Sequence, residues 1–212
     1  MKVRKFTALD SIPAPFNEAN IDTDAILPAR FLLLLDKVGF GKHLFSERRR
    51  EKSFILNTPP YNTAEILVAG PRFGIGSSRE HAVWALADFG FRCIIAPSFG
   101  DILFSNCTKN GILPICLPAD KHKKVMDAAI NKETVKVELE SQLITFGETR
   151  FTFDVNPYHK KSLLLGLDET GGILANDSDD IQAFETQQRR AQPWLYLSDE
   201  QLSIFNKIKK RL

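Results

Sequence analysis

Between Phe73 and Ala82 the chain reads Phe-Gly-Ile-Gly-Ser-Ser-Arg-Glu-His-Ala, so two hydroxyls and a guanidinium follow a pair of glycines. Glycines at 74 and 76 let the backbone turn sharply and present its N–H groups to a bound ligand. The helix expected to follow adds the positive end of its dipole. Arg79 supplies a planar fork of donors that matches a carboxylate or a phosphate, and Ser77 or Ser78 supplies a nucleophilic or basic oxygen beside it. The stretch therefore reads as an anion site. The same residues also spell a capping box, in which Ser77 caps the helix and Glu80 reaches back to its N–H. A cap needs neither a second serine nor a glycine pair, and arginine in a first turn opposes the dipole unless an anion offsets it. The two readings are compatible.

A second polar cluster lies near the front, in Asn20-Ile21-Asp22-Thr23-Asp24-Ala25-Ile26-Leu27-Pro28. Its two carboxylates and one hydroxyl are too few to hold a metal. Such residues favour turns through side-chain to backbone bonds. Asp24 is also a group that can position an arginine or accept a proton near a carboxylate-binding site.

The elements around these residues follow from the apolar runs. Residues 64–70 form a short apolar run ending in Gly-Pro, read as a buried strand that feeds the glycine turn. A helix is expected from Ser78 to about Phe89, a strand over 92–97, a helix over 99–109 stopped at Asn110-Gly111, and a strand over 112–117. A further helix is expected over 118–131. This alternation implies a mostly parallel sheet with crossover helices. Residues 134–140 then alternate apolar and charged side chains, as a half-exposed strand does, with 143–146 and 151–153 as antiparallel neighbours. From Asn156 the pattern turns helical, near 160–167, 179–190 and 199–209. Trp194, after Gln192-Pro193, is an aromatic anchor that either packs this appendage onto the sheet domain or serves an interface.

Bulk properties exclude several classes. The chain has 212 residues, 43% hydrophobic and 25% charged, which is ordinary for a globular protein. With 28 basic against 26 acidic residues, the net charge of +2 gives no nucleic-acid footprint. Arg48-Arg49-Arg50 and the basic residues from Lys207 to Arg211 read as solvated faces. No apolar run is long enough to span a bilayer, and the basic N-terminus lacks a signal core, so a cytoplasmic protein is expected. Cys93, Cys107 and Cys116 lie too far apart for a C-x-x-C pair, which argues against a disulfide framework and a self-contained metal site; Cys93 and Cys116 read as buried small hydrophobes.

Taken together, several motifs in register resemble the small-subunit family of bacterial isopropylmalate isomerases, which corresponds to the swivelling domain of aconitase. They are Asn20 to Pro28, Gly39-Phe40-Gly41 with Leu44-Phe45, Gly74 to Ala82, Ile95-Ala96-Pro97-Ser98-Phe99, and Asn106 through Asn110-Gly111-Ile112-Leu113-Pro114. The match spans most of residues 1–120, and Gln187 to Trp194 resembles the family's C-terminal region. The resemblance implies an α/β fold: an aconitase-type swivelling β/β/α domain over 1–155, with parallel strands and crossover helices, and a C-terminal helical appendage over 156–212.

It also implies the chemistry, a hydro-lyase that interconverts 2-isopropylmalate and 3-isopropylmalate in leucine biosynthesis. In such enzymes a [4Fe–4S] cluster binds the substrate's hydroxyl and a carboxylate while a serine takes the proton from the adjacent carbon. By resemblance Ser77 is that base, Arg79 clamps a substrate carboxylate with Ser78 beside it, and Asp24 orients the arginines or the base. His81 reads as structural. Because a four-iron cluster is ordinarily held by cysteines, and this chain lacks the spacing, the implied partner is a cluster-bearing large subunit in a heterodimer or heterotetramer. Isoleucine at 75 replaces the family's usual cysteine, Val83 stands where proline is common, and residues 32–38 are unusually apolar. These departures bear on the substrate, leaving citraconate, dimethylmaleate or homoaconitate types as alternatives. A non-catalytic anion-binding module is a further one. A dinucleotide fingerprint is excluded because Arg79 stands where its third glycine belongs.

Overall fold

Two kinds of strand patterning produce two different sheets. The structure, a computed structural model, describes residues 3–33, 39–76, 79–198 and 202–203. In chain order its strands are β1 (Ala8–Ser11), β2 (Ala14–Phe16), β3 (Ile66–Ala69), β4 (Cys93–Ala96), β5 (Leu113–Cys116), β6 (Val135–Glu138), β7 (Leu143–Phe146) and β8 (Thr149–Thr152). Its helices are α1 (Thr23–Ile26), α2 (Glu80–Phe89), α3 (Asp101–Lys109), α4 (Ala119–Ile130), α5 (Pro157–Leu165), α6 (Glu169–Asn176) and α7 (Ser178–Ala191), and single 3-10 turns carry much of residues 29–63.

The unbroken apolar runs become a parallel sheet in the order β2-β3-β4-β5. Every residue of β3 and β4 is buried, as strands covered on both faces must be. Alternate residues face opposite layers. Leu67, Ala69, Ile94 and Ala96 pack with α2, α3 and the front loops, whereas Ile66, Val68, Cys93 and Ile95 pack with α4 and the second sheet. That second sheet, β1-β6-β7-β8, is antiparallel throughout. Its alternation is half-buried: Val135, Val137, Ile144 and Phe146 turn inward, and Lys136 and Glu138 turn outward and pair at 2.6 Å. The expected α/β arrangement of parallel strands and crossover helices is present.

Several local signals set the boundaries. α3 stops at Asn110, with Gly111 at φ +78°. α5 begins earlier than its apolar spacing indicates, because Asn156 caps it, accepting from the Tyr158 N–H at 2.9 Å, and Pro157 fills the first helical position. β2 and β5 each contain a proline, Pro15 and Pro114, and both are edge strands, where a missing N–H is tolerated. The basic run at 48–50 is neutralised locally: Arg48 grips Glu18 through two bonds of 2.8 and 2.5 Å, and Arg50 meets Glu47 at 2.6 Å. Cys116 corrects an expectation. It ends β5 on an edge and is exposed, while Cys93 and Cys107 are buried.

The chain divides into two compact units, Met1–Asp168 and Glu169–Leu212. The first holds both sheets and α1 to α5. In the second, α7 bears no buried residue; the Tyr196 hydroxyl donates to Gln188 at 2.6 Å, the Arg189 guanidinium covers the Tyr196 ring, and Trp194 is 70% exposed. The helix expected over 199–209 and the basic residues from Lys207 to Arg211 lie outside the described residues.

Because Ile94 sits at the centre of the parallel sheet with no exposure, Ile94→Ala is expected to lower the unfolding free energy by about 3 kcal/mol. Ile130→Ala, at a position 58% exposed, is expected to change it by less than ~0.5 kcal/mol. Urea unfolding of the two variants beside the parent measures both.

Candidate active site

Three separate sequence motifs meet through backbone bonds. The Gly74 and Ile75 N–H groups both donate to the Ile21 carbonyl, at 2.7 and 3.1 Å, and the Thr23 N–H donates to the Ile75 carbonyl at 3.0 Å. On the other side, the Phe73 N–H reaches the Ser98 carbonyl at 3.0 Å, and the Gly100 N–H reaches the Phe73 carbonyl at 2.9 Å. The glycine turn is thus threaded between the front loop and the loop after β4, as one extra parallel step on each side. Gly74 sits at φ +73°, and a Cβ there would lie 2.3 to 2.8 Å from Leu103 side-chain carbons. Both conformation and space require glycine. Gly76, at φ +97°, has room for a Cβ, so its requirement is conformational.

The threading brings Asp24 to Arg79 across 55 positions of sequence. Asp22 caps the short helix α1, accepting the Ala25 N–H at 2.7 Å, which confirms its role as a turn former. Thr23 is buried. Asp24 then accepts the Arg79 Nη1–H and, at 2.9 Å, the Ala29 N–H on the same carboxylate oxygen. The bond from Arg79 and that from Ala29 hold its carboxyl below the usual carboxylate range. A carboxylate so held is a poor proton acceptor and a good anchor. Arg79 is the more covered member of the pair, 22% exposed, and Asp24 the more open one, 57% exposed.

A second arginine borders this pair, one that its residue type alone does not mark out. Arg30 lies within electrostatic reach of Asp24, donates to Ser46 Oγ at 3.3 Å and pairs with Glu47. Its guanidinium covers the Phe31 ring at 4.6 Å, and Phe31 stacks on His43 at 4.0 Å. Burial, followed by the charges of Lys42 and Arg30, pushes His43 below the usual histidine range. The sequence signal for Arg30 is its place six residues after Asp24, just beyond the same motif. The rim therefore carries two guanidinium groups, each paired with a carboxylate, Arg79 with Asp24 and Arg30 with Glu47.

Ser77 and Ser78 lie outside the described residues, between Gly76 and Arg79 in sequence. The capping box is corrected at its other end. α2 begins at Glu80, Arg79 is the cap residue and makes no side-chain cap bond, and the Glu80 carboxylate is taken by Asn110 at 2.9 Å. Arginine at the junction has an extended backbone, φ −128° and ψ 94°, which sends its side chain away from the helix axis toward the front loop. His81 packs its ring on Trp84 at 4.4 Å and on Phe40 at 5.6 Å, a structural role. Among the described residues, no group of three or more His, Cys, Asp or Glu side chains is placed to hold a metal ion.

A guanidinium anchored by a carboxylate at a glycine-rich helix entrance suits a small anionic substrate, and comparison with known proteins narrows the family. Residues 3–120 match the family model of the aconitase C-terminal domain, and residues 176–198 match that of the C-terminal domain of the 3-isopropylmalate dehydratase small subunit. The chain is 46% identical over 200 residues to the 3-isopropylmalate dehydratase small subunit of Pelagibacter ubique, covering 92% of this chain and 98% of that one. It is 48% identical over 202 residues to the same-named protein of Dinoroseobacter shibae, covering 91% and 100%. A crystal structure of 3-isopropylmalate dehydratase from Methanocaldococcus jannaschii matches 84% of this chain and 99% of its own, with a TM-score of 0.64 and 23% identity, a likeness of fold. With an aconitase-domain match over more than half of the chain and relatives nearly half identical across almost all of it, the chain belongs to the family of 3-isopropylmalate dehydratase small subunits.

Proposed function

We propose that the chain is the small subunit of a hydro-lyase that interconverts 2-isopropylmalate and 3-isopropylmalate by loss and return of water, working with a separate cluster-bearing large subunit. The observation that carries this reading is Arg79, held by Asp24 at the start of α2 where the glycine turn emerges. Both substrates are dicarboxylates, and a guanidinium fixed at its root by an ionised carboxylate can bind one of their carboxylates without drifting. Ser77, two positions earlier, takes the proton from the carbon next to the one that loses hydroxide, and returns it in the reverse direction. Ser78 contributes a hydroxyl to the same carboxylate. Positive charge beside the serine favours its deprotonated form and stabilises charge on the substrate as the proton leaves. Asp24 serves this chemistry through Arg79, since its lowered pKa ill suits it to accept a proton.

The residues of this chain do not fit a four-iron cluster. Cys93 and Cys107 are fully buried in apolar core, and burial pushes both thiols far up, away from the thiolate that a metal requires. Cys116 lies at the end of an edge strand. The cluster is accordingly assigned to the large subunit, and no step is derived through it. In this reading the active site is shared, and the exposed rim around Arg79 and Asp24 faces the partner. No helix of the described residues is long and apolar enough to cross a membrane. Ile75, where the family usually has cysteine, makes another small dicarboxylate of the citraconate, dimethylmaleate or homoaconitate type the second reading.

The test is co-expression with a large subunit, anaerobic cluster reconstitution and assay on this dicarboxylate panel; turnover of isopropylmalate above the others is expected, and no turnover with any large subunit refutes the reading. In the active complex Ser77→Ala is expected to assemble normally and lose roughly a thousandfold in kcat. Arg79→Lys, which keeps charge and loses the fork, is expected to cost about 2 kcal/mol in kcat/KM, mostly through KM.

A third expectation concerns pH. The folded-state pKa of Asp24 lies below its ordinary 3.8, so whatever stability the Arg79 pair contributes is fully present above that value. It is lost as pH falls through the depressed one. A carboxyl NMR titration should place the Asp24 midpoint below 3.8, and Arg79→Ala should move it upward; a midpoint unmoved by that substitution would show that the pair does not form in solution.

A further inference from the structure

Asn110 does more than end a helix. As a stop it needs only its backbone, whose N–H reaches the Asn106 and Cys107 carbonyls at 3.1 Å each, with Gly111 turning the chain away. Its carboxamide is nonetheless engaged at both ends. Oδ1 accepts the Trp84 indole N–H at 3.1 Å, and Nδ2 donates to the Glu80 carboxylate at 2.9 Å and to the Asn106 carbonyl at 2.9 Å. Glu80 and Trp84 are four residues apart on α2, so they lie one turn apart on the same face. One amide therefore clips the first turn of α2 to the next, and both to the end of α3.

The polarity of the clip is specified by chemistry. An indole only donates and an ionised carboxylate only accepts, so the group between them must accept on one side and donate on the other, as an amide does. Glu80 is the first residue of α2 and directly follows Arg79, which as cap residue makes no side-chain bond to its own helix. His81 and Phe40 brace the same turn through ring contacts. We infer that Asn110 is a positioning residue for the candidate active site: by holding Glu80 it fixes the start of α2, and with it the direction in which Arg79 leaves the helix toward Asp24. The catalytic consequence rests on the function proposed above; the clip itself does not.

The experiment exploits that polarity. Asn110→Asp sets a carboxylate against Glu80 and loses the donor, while keeping an acceptor for Trp84. Glu80→Gln keeps an acceptor for Asn110, and its own amide can donate to the carboxylate that Asn110→Asp introduces. In the reconstituted complex, Asn110→Asp and Glu80→Ala are each expected to lower kcat/KM roughly tenfold through misplacement of Arg79. Glu80→Gln is expected to retain the parent value, and the double variant Asn110→Asp with Glu80→Gln to regain most of the loss. If Glu80→Ala has no effect, or if Glu80→Gln does not rescue Asn110→Asp, the side chain acts only as the end of α3 and the inference is overturned.

A readout independent of turnover separates this from the functional reading. The chain has two tryptophans, so on a Trp194→Phe background the indole N–H resonance of the full chain reports Trp84 alone. It should shift in Asn110→Asp and Glu80→Ala, and return toward the parent position in the double variant. A resonance that does not respond to Asn110→Asp removes the clip. A resonance that responds as expected, in a complex that does not turn over isopropylmalate, upholds the clip and overturns the substrate assignment; the kinetic comparison is then made on the dicarboxylate that is turned over.

Discussion

The site depends on one carbonyl. The Ile21 oxygen accepts both the Gly74 and the Ile75 N–H groups, and the Ile75 carbonyl returns a bond to Thr23. A carbonyl oxygen has two lone pairs, and here both are used to bind one loop to another. This lacing sets the distance between a front loop that would otherwise be a solvated turn and a glycine turn that leaves the sheet at β3. Without it, Asp24 and Arg79 belong to unconnected parts of the chain. The lacing in turn depends on Gly74, because only a residue with no Cβ adopts φ +73° against Leu103 without moving α3.

That hierarchy explains what is legible in the sequence. Residues 64–131 are readable because each strand is a short apolar run punctuated by glycine or proline, and the central runs are buried on both faces. The half-buried pattern of β6 is equally plain. β1 and β2 are not, since they are four and three residues long, one is mostly exposed and the other contains a proline that only an edge strand admits. Cys116 misleads for the same reason: an apolar run at a sheet edge does not bury every residue it contains. The described residues of 29–33 and 39–63 give no period because they form single turns, packed through Phe40, Leu44 and Phe45 rather than by any repeating face.

The site itself is legible as residue types and not as an arrangement. Asp22 and Asp24 look alike in a polar turn, yet one caps α1 and the other reaches Arg79. The difference is two positions along a tight helical turn, which points their side chains in different directions. Nothing local separates them, because the partner that defines Asp24 lies 55 residues away. Arg30 is marked in the sequence only by its place after the front motif, for a different reason. Its significance comes from the field it shares with Arg79 around one carboxylate, and a field is a property of the folded chain.

The start of α2 shows how the fold accommodates a poor helix entrance. Arginine at a cap position places positive charge at the positive end of the dipole and makes no cap bond, against a preference worth ~1 kcal/mol for a polar cap. A capping serine in that position would serve the helix better and leave Asp24 without its guanidinium partner. The compensation comes from outside the helix: Asp24 on one side draws the guanidinium toward the front loop, and Glu80, acidic and therefore favoured in a first turn, is bonded to Asn110 on the other. Tertiary contacts thus carry what local capping would ordinarily supply. An entrance held this way is stable only in the assembled fold, and it leaves the Arg79 guanidinium turned toward Asp24 and the front loop rather than spent on the helix end.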